Sequence, residues 1–201
     1  MKKTFFIISI TLGLMCSYCK AQTIVPLDAD EEQSTSTYFK DTNMDMDKFV
    51  GTWVFNDGSG KILTITLQKK LMVPFDNHFE DLLIGEYKYE INGYTVVNTL
   101  PLLNDTNIVG LEHKISGREI YPNNMFVPCP SCSPTEKRFT LSFEDPLRPY
   151  LMAAINLRYL IGVTPEKLQA TIYQQDAVIL PNDYSLSQPR VPFGEYVLTK
   201  Q

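Results

Sequence analysis

The sequence has no glycine-rich phosphate loop, no Gly-x-Ser-x-Gly elbow, no His-Glu-x-x-His pair and no stripe of basic residues. Each absence removes a class of chemistry. A nucleotide cradle needs closely spaced backbone N–H groups, a serine hydrolase of the common kind needs its strained elbow, and a zincin needs two histidines on one helix face. Histidine is scarce altogether: only His78 and His113, without paired metal-ligand spacing. Helical periodicity is also missing, with no amphipathic pattern longer than two turns. Beyond the first residues no apolar run is long enough to cross a membrane as a helix. Convergent catalytic sites need no local motif, so these absences lean against an enzyme without closing the question.

What is present begins with an address. Lys2 and Lys3 precede an apolar run from Phe5 to Met15, and Cys19-Lys20-Ala21 offers small residues before a cut. The pattern predicts a signal peptide over 1–21, cleaved after Ala21, and a destination in the periplasm or outside the cell. A lipid anchor on Cys16 or Cys19 ranks second, because the residues before each match a lipobox poorly. Lys2, Lys3 and Lys20 leave with the peptide and no acid does, taking the formal charge from −5 to −8. An acidic surface repels phosphate backbones and anionic lipid, so nucleic acid is not an expected partner.

Residues 22–47 read as a polar N-terminal arm, with Asp28, Asp30, Glu31 and Glu32 followed by Ser34 to Thr37. Little in it invites burial, and an extended or partly disordered segment is expected. Asp41 to Asp47 alternates oxygen-bearing residues like the start of a calcium loop. Met46 and Thr52 stand where such a loop needs Gly and Glu, so a solvated turn is the expectation.

From residue 48 onward the chain reads as one domain of short alternating strands. Phe49-Val50-Gly51-Thr52-Trp53 opens it with the single tryptophan. Gly51 gives the backbone room to bend, and Trp53 is large enough to plug one end of a barrel. Lys61 to Lys69, Leu83 to Ile91, Tyr94 to Thr99, Phe139 to Glu144, Leu151 to Tyr159, Leu168 to Tyr173 and Glu195 to Thr199 all follow period two, and Val109 to Ile115 and Arg118 to Tyr121 are shorter pieces broken at Ser116-Gly117. Asp57-Gly58-Ser59-Gly60 and Asn92-Gly93 are hairpin signals. The expected fold is all-β: a single antiparallel lipocalin-like (calycin-like) β-barrel of 8–10 strands, with a β-sandwich as runner-up. Tyr87, Tyr89, Phe139, Leu141, Ile155 and Leu157 are the candidates for an inward, ligand-binding face, either filling the interior or lining a cavity.

Cys129-Pro130-Ser131-Cys132 is the sharpest local motif, and it lies in a proline-rich loop over 122–136. In an oxidising compartment a Cys129–Cys132 disulfide is the default, with redox and metal roles as alternatives. Asp76-Asn77-His78-Phe79-Glu80-Asp81 gathers an imidazole and three carboxylates, and reads as a solvated loop before a weak metal or acid–base site. His113 reads as a surface or barrel-lining residue in a strand. Glu86 and Glu90 share the polar face of theirs, about 13 Å apart along an extended chain. No metal or cofactor is expected.

Tyr38-Phe39-Lys40-Asp41-Thr42-Asn43, Phe49-Val50-Gly51-Thr52-Trp53, Leu83-Ile84-Gly85-Glu86-Tyr87, Cys129-Pro130-Ser131-Cys132 with Glu136-Lys137-Arg138, Phe143-Glu144-Asp145-Pro146 and Pro192-Phe193-Gly194-Glu195-Tyr196-Val197-Leu198 occur in this order. Together they resemble a family of small secreted proteins from Bacteroidetes-type bacteria, the domain of unknown function 6705. The resemblance implies a Sec-exported single-domain protein and brings no activity or site residue. The functional expectation is a non-enzymatic barrel that binds a small apolar or amphipathic ligand. The alternative is a protein-interaction or inhibitor-type scaffold that makes contact through the 122–136 loop.

Overall fold

The computed structural model describes residues 22–29, 37–121, 127–177, 180–181 and 186–201. The expected signal peptide and positions 122–126 of the long loop lie outside them. The described residues form eleven strands: β1 (Thr23–Pro26), β2 (Thr37–Lys40), β3 (Gly51–Asn56), β4 (Lys61–Pro74), β5 (His78–Ile91), β6 (Tyr94–Asn98), β7 (Ile115–Tyr121), β8 (Arg138–Phe143), β9 (Ala153–Leu160), β10 (Lys167–Gln174) and β11 (Gly194–Lys200).

Eight of them, β3, β4, β5, β7, β8, β9, β10 and β11, run around a closed barrel in chain order, every neighbour antiparallel. Strands that follow one another in the chain, with β6 set aside, pair around the ring, which makes this order the simple one. Asp57 shapes the first turn by accepting from the backbone N–H groups of Ser59 (2.8 Å) and Lys61 (3.0 Å). Asn92 and Gly93 both take positive φ, 52° and 80°, the geometry a two-residue hairpin requires. Two narrow seams complete the ring: Val54 and Trp53 against Thr199 and Lys200, and Leu83, Ile84 and Gly85 against Gly117, Ser116 and Ile115. On the other edge of Gly85 a Cβ would lie 2.8 Å from the Thr66 carbonyl oxygen of β4, so only glycine lets β4 and β5 approach this closely there.

The period-two alternation puts one side chain in two into the barrel, and these fill it. Trp53, Leu63, Ile65, Leu67, Tyr87, Phe139, Ile155, Leu157, Leu168 and Leu198 have no exposed surface and join a single apolar cluster. Trp53 sits at one end, donates from Nε1 to the Phe49 carbonyl at 2.7 Å, and meets Tyr159 edge-on at 6.3 Å.

Three expectations are corrected. The 22–47 arm is ordered structure in part: β1 pairs parallel with β2, and β2 parallel with the start of β5, burying Val25, Tyr38, Phe39 and Met46. Val25, Tyr38 and Phe39 supply that burial despite the acidic surroundings, while Ile24 stays exposed. The 76–81 segment is not a solvated loop, because β5 starts at His78, and His78, Glu80 and Asp81 are buried. The break expected at Ser116-Gly117 is a bulge inside a continuous β7, where the pairing with β8 shifts register.

Candidate functional site

The six residues expected on the inward face all point into the barrel and are 0–2% exposed. Tyr87 stacks on Phe143 at 4.7 Å and donates its hydroxyl to the Glu144 carbonyl at 2.9 Å. Burial pushes the Tyr87 hydroxyl well above its ordinary value, with the Asp145 charge adding to the rise. These residues form core.

Open space lies outside the barrel, over β5. Leu82-Leu83-Ile84 is apolar on both faces of the strand: Leu83 joins the barrel interior, while Leu82 and Ile84 form a second cluster with Leu103, backed by Val73 and Phe75. The crossover from β6 to β7 supplies the cover. Thr99 anchors its start, its hydroxyl accepting from Tyr87 N at 2.9 Å and donating to Tyr87 O at 3.1 Å. Short 3-10 turns at Leu100–Asn104 and Gly110–Glu112 carry the chain across. The far end of β4 forms the facing wall. It bulges between Lys70 and Val73, with Met72 at φ +53°.

Asp81 holds that bulge. Its fully buried carboxylate accepts from Met72 N (2.9 Å), Asp41 N (3.0 Å) and the Tyr38 hydroxyl (2.5 Å). One side chain thus ties β2, β4 and β5 together. Burial, the Asp81 hydrogen bond and the Asp81 charge push the Tyr38 hydroxyl up to about 12.

Between the two walls is a cleft of about 500 Å³, within the usual range for small-molecule sites. Leu71, Met72, Val73, Pro74, Leu103, Ile108 and Val109 give it an apolar lining; Lys70, Asn104, Asp105, Thr106 and His113 supply the polar groups. Leu71 and Val109, 63% and 62% exposed, form an apolar rim. His113 is not in a strand but follows the second 3-10 turn, and it is buried. Its Nδ1 faces Glu86 Oε1 at 3.0 Å. Glu86 does not share an exposed polar face with Glu90. It is fully buried, accepts Lys114 N at 3.3 Å on the same oxygen, and has no partner on Oε2. Glu90 instead pairs with Lys88 nearer the surface at 2.8 Å. A carboxylate accepts, so the Glu86 contact places a ring proton on Nδ1 of this cleft-lining histidine. The hydroxyl on the wall comes from Thr106, and neither serine nor cysteine lines the cleft.

The other candidates are structural in their surroundings. His78 Nε2 and Arg118 Nε both meet Glu80 Oε1, at 2.7 and 2.9 Å, and Arg118 lies over the Phe39 ring at 4.3 Å. Asp41 accepts from Asp45 N and Met46 N and pairs with Lys69 at 2.7 Å, so its oxygens cap a turn. Cys129 and Cys132 form the disulfide, with Cα atoms 5.4 Å apart. Arg158 grips Glu136 at 2.6 Å and holds its carboxyl below the ordinary range, against burial. Lys137 bridges Asp45 and Asp28 at 2.9 and 3.0 Å.

The cleft escaped sequence reading because its walls come from a strand bulge and an irregular crossover. The one available signal was Leu82-Leu83-Ile84, apolar on both faces where a half-exposed strand should alternate. No curated protein and no solved structure matches the chain. A family model described as a family of unknown function, DUF6705, matches residues 1–201, and the chain belongs to that family.

Proposed function

We propose that this chain is an exported, non-enzymatic β-barrel protein that binds a small amphipathic ligand in the cleft over β5 rather than inside the barrel. The observation that carries the reading is the contrast between the two spaces. The barrel's inward side chains fill its centre, whereas the outer cleft offers about 500 Å³ with an exposed apolar rim and a buried, oriented histidine. The apolar wall takes a hydrocarbon body and the polar groups around His113 take a head. Export accords with the basic, then apolar, N-terminal sequence and with a disulfide in the fold. A second reading is contact with a protein partner through the long loop. The bracing of its described part by the disulfide and by Glu136–Arg158 favours this, since a rigid loop loses less entropy on binding.

The test uses the mature protein with the fluorescent probe anilinonaphthalene sulfonate, and native mass spectrometry before and after organic extraction. Leu71→Asp with Val109→Asp alters only exposed positions, so the fold should survive. Probe binding that falls at least tenfold in this variant supports the cleft. Binding that is unchanged in a folded variant overturns it.

A further inference from the structure

On the opposite wall a buried cation lacks a counter-charge. Arg138 opens β8 and is 2% exposed. Its Nη2 donates to the Val127 carbonyl at 2.7 Å and its Nη1 to Asn156 Oδ1 at 3.3 Å. Its Nε has no partner. Among the described residues no carboxylate comes within ion-pair distance of it. The nearest candidates are engaged elsewhere: Glu136 with Arg158, and Glu195 with the Gln169 amide at 2.5 Å. A guanidinium does not lose its proton in a protein, so a full positive charge is held under the surface by neutral acceptors alone. Burial and the nearby Arg158 charge both work against it, with Glu136 opposing them.

Beside this group is a small cavity of about 30 Å³. Val127, Pro128 and Cys129 roof it, and Arg138, Asn156, Arg158, Gln169, Thr171 and Glu195 complete its wall. A space of that size holds one water-sized particle. It favours a monatomic anion over phosphate or sulfate. Cys129, the first residue of the Cys-Pro-Ser-Cys motif that the outer cleft leaves without a role, is part of the roof.

We propose that this cavity is a halide site, in which a chloride-class anion accepts from Arg138 Nε and supplies the missing counter-charge. The anion also clamps the roof to the barrel, because Arg138 already holds the Val127 carbonyl. A buried unpaired charge is expensive, and a bound anion removes that penalty in the folded state only.

The experiment is thermal unfolding of the mature, disulfide-bonded protein in rising sodium chloride, against sodium gluconate at equal ionic strength. Gluconate screens charge equally but cannot enter the cavity. Chloride should raise the midpoint saturably, by roughly 5–10 °C at a hundred times its Kd, over the gluconate curve. Arg138→Met should abolish the difference. Should that variant not fold, crystals of the wild type grown in sodium bromide decide the matter. An anomalous peak at Arg138 Nε supports the site. Identical chloride and gluconate curves, a peak-free cavity holding water, or Glu195 turned inward to pair with Arg138 would each overturn it.

Discussion

Arg190→Ala should be one of the most damaging single changes outside the barrel interior, and the reason is Asp145. That carboxylate is almost fully buried at the end of β8. Arg190 Nε and Nη2 donate to Asp145 Oδ1 at 2.9 and 2.6 Å, while the backbone N–H groups of Arg190 and Leu147 donate to it at 2.7 and 3.1 Å. Arg190 Nη1 also reaches the Val96 carbonyl at 3.2 Å, so one side chain ties the loop before β11 to β6. Removing one member of a buried pair typically costs about 3–5 kcal/mol, because the other charge is stranded. Here two backbone donors remain and the Arg190 side chain is 16% exposed, which lowers the expectation to roughly 2–4 kcal/mol. In a chain of this size that is a fall of about 5–15 °C in Tm.

The pH dependence makes the test sharper. Burial pushes the Asp145 carboxyl up, but the Arg190 side chain and the backbone donors outweigh it and hold the group below the ordinary carboxylate range. A depressed folded value means the stability is fully present above the unfolded value, near 3.9, and is lost as pH falls through the folded one. In Arg190→Ala the carboxyl moves up, and protonation relieves the stranded charge. The gap between wild type and variant should therefore be widest near neutrality and narrow as pH falls through the carboxylate range. Urea unfolding at several pH values measures the gap, and Asp145→Asn in both backgrounds gives the coupling. A loss below about 0.5 kcal/mol at pH 7, or a gap that does not change with pH, would refute the clasp.

Three further outcomes follow from the packing. Trp53→Ala should cost roughly 3–5 kcal/mol in denaturant unfolding, since the fully buried indole joins the barrel core; a near-zero change would refute that packing. Gly85→Ala would set a Cβ 2.6 Å from Leu67 Cδ2 and 2.8 Å from the Thr66 carbonyl, and should cost about 1–3 kcal/mol by the same assay. Cys129→Ser with Cys132→Ser should lower stability by about 2 kcal/mol, the chain-entropy value for so short a loop. Probe binding in the outer cleft should be unchanged in that variant.

The barrel was legible because its strands obey a local rule. Lys61 to Lys69 and Leu168 to Tyr173 alternate along their own length, and the structure puts Leu63, Ile65, Leu67, Leu168, Ala170 and Ile172 inside. Asn92-Gly93 set a turn by backbone preference alone. The misread segments depend on partners distant in sequence. β1 and β2 are four residues each, and their parallel pairing joins β2 to His78, Phe79 and Glu80 some 40 residues on. No local pattern specifies such pairing. His113, between Glu112 and Lys114, and Glu86, on the polar side of an alternating strand, both look exposed in sequence, and meet only because the crossover folds back over β5. The disulfide needed no such partner, since both cysteines lie within four residues in a chain expected to be exported.

β5 explains why the open space lies where it does. A barrel strand normally buries one face and needs one side chain in two to be apolar. β5 runs for 14 residues, past the length the barrel uses, and takes four neighbours in turn: β2 at its start, β4 along one edge, β7 in the middle and β6 at its end. Its outward side chains here are Leu82, Ile84 and Glu86, all fully buried, so they need cover on the outer side as well. The β6–β7 crossover provides it, but it is irregular backbone that must keep its own polar groups bonded, and it cannot pack as tightly as strand on strand. The β4 bulge, pinned by Asp81, keeps the facing wall apart from it. Cover without close packing leaves a cleft, while the alternating interior closes on itself. For that reason a ligand search belongs on the outer face of β5, where Glu86 and His113 place a buried polar pair against an apolar wall.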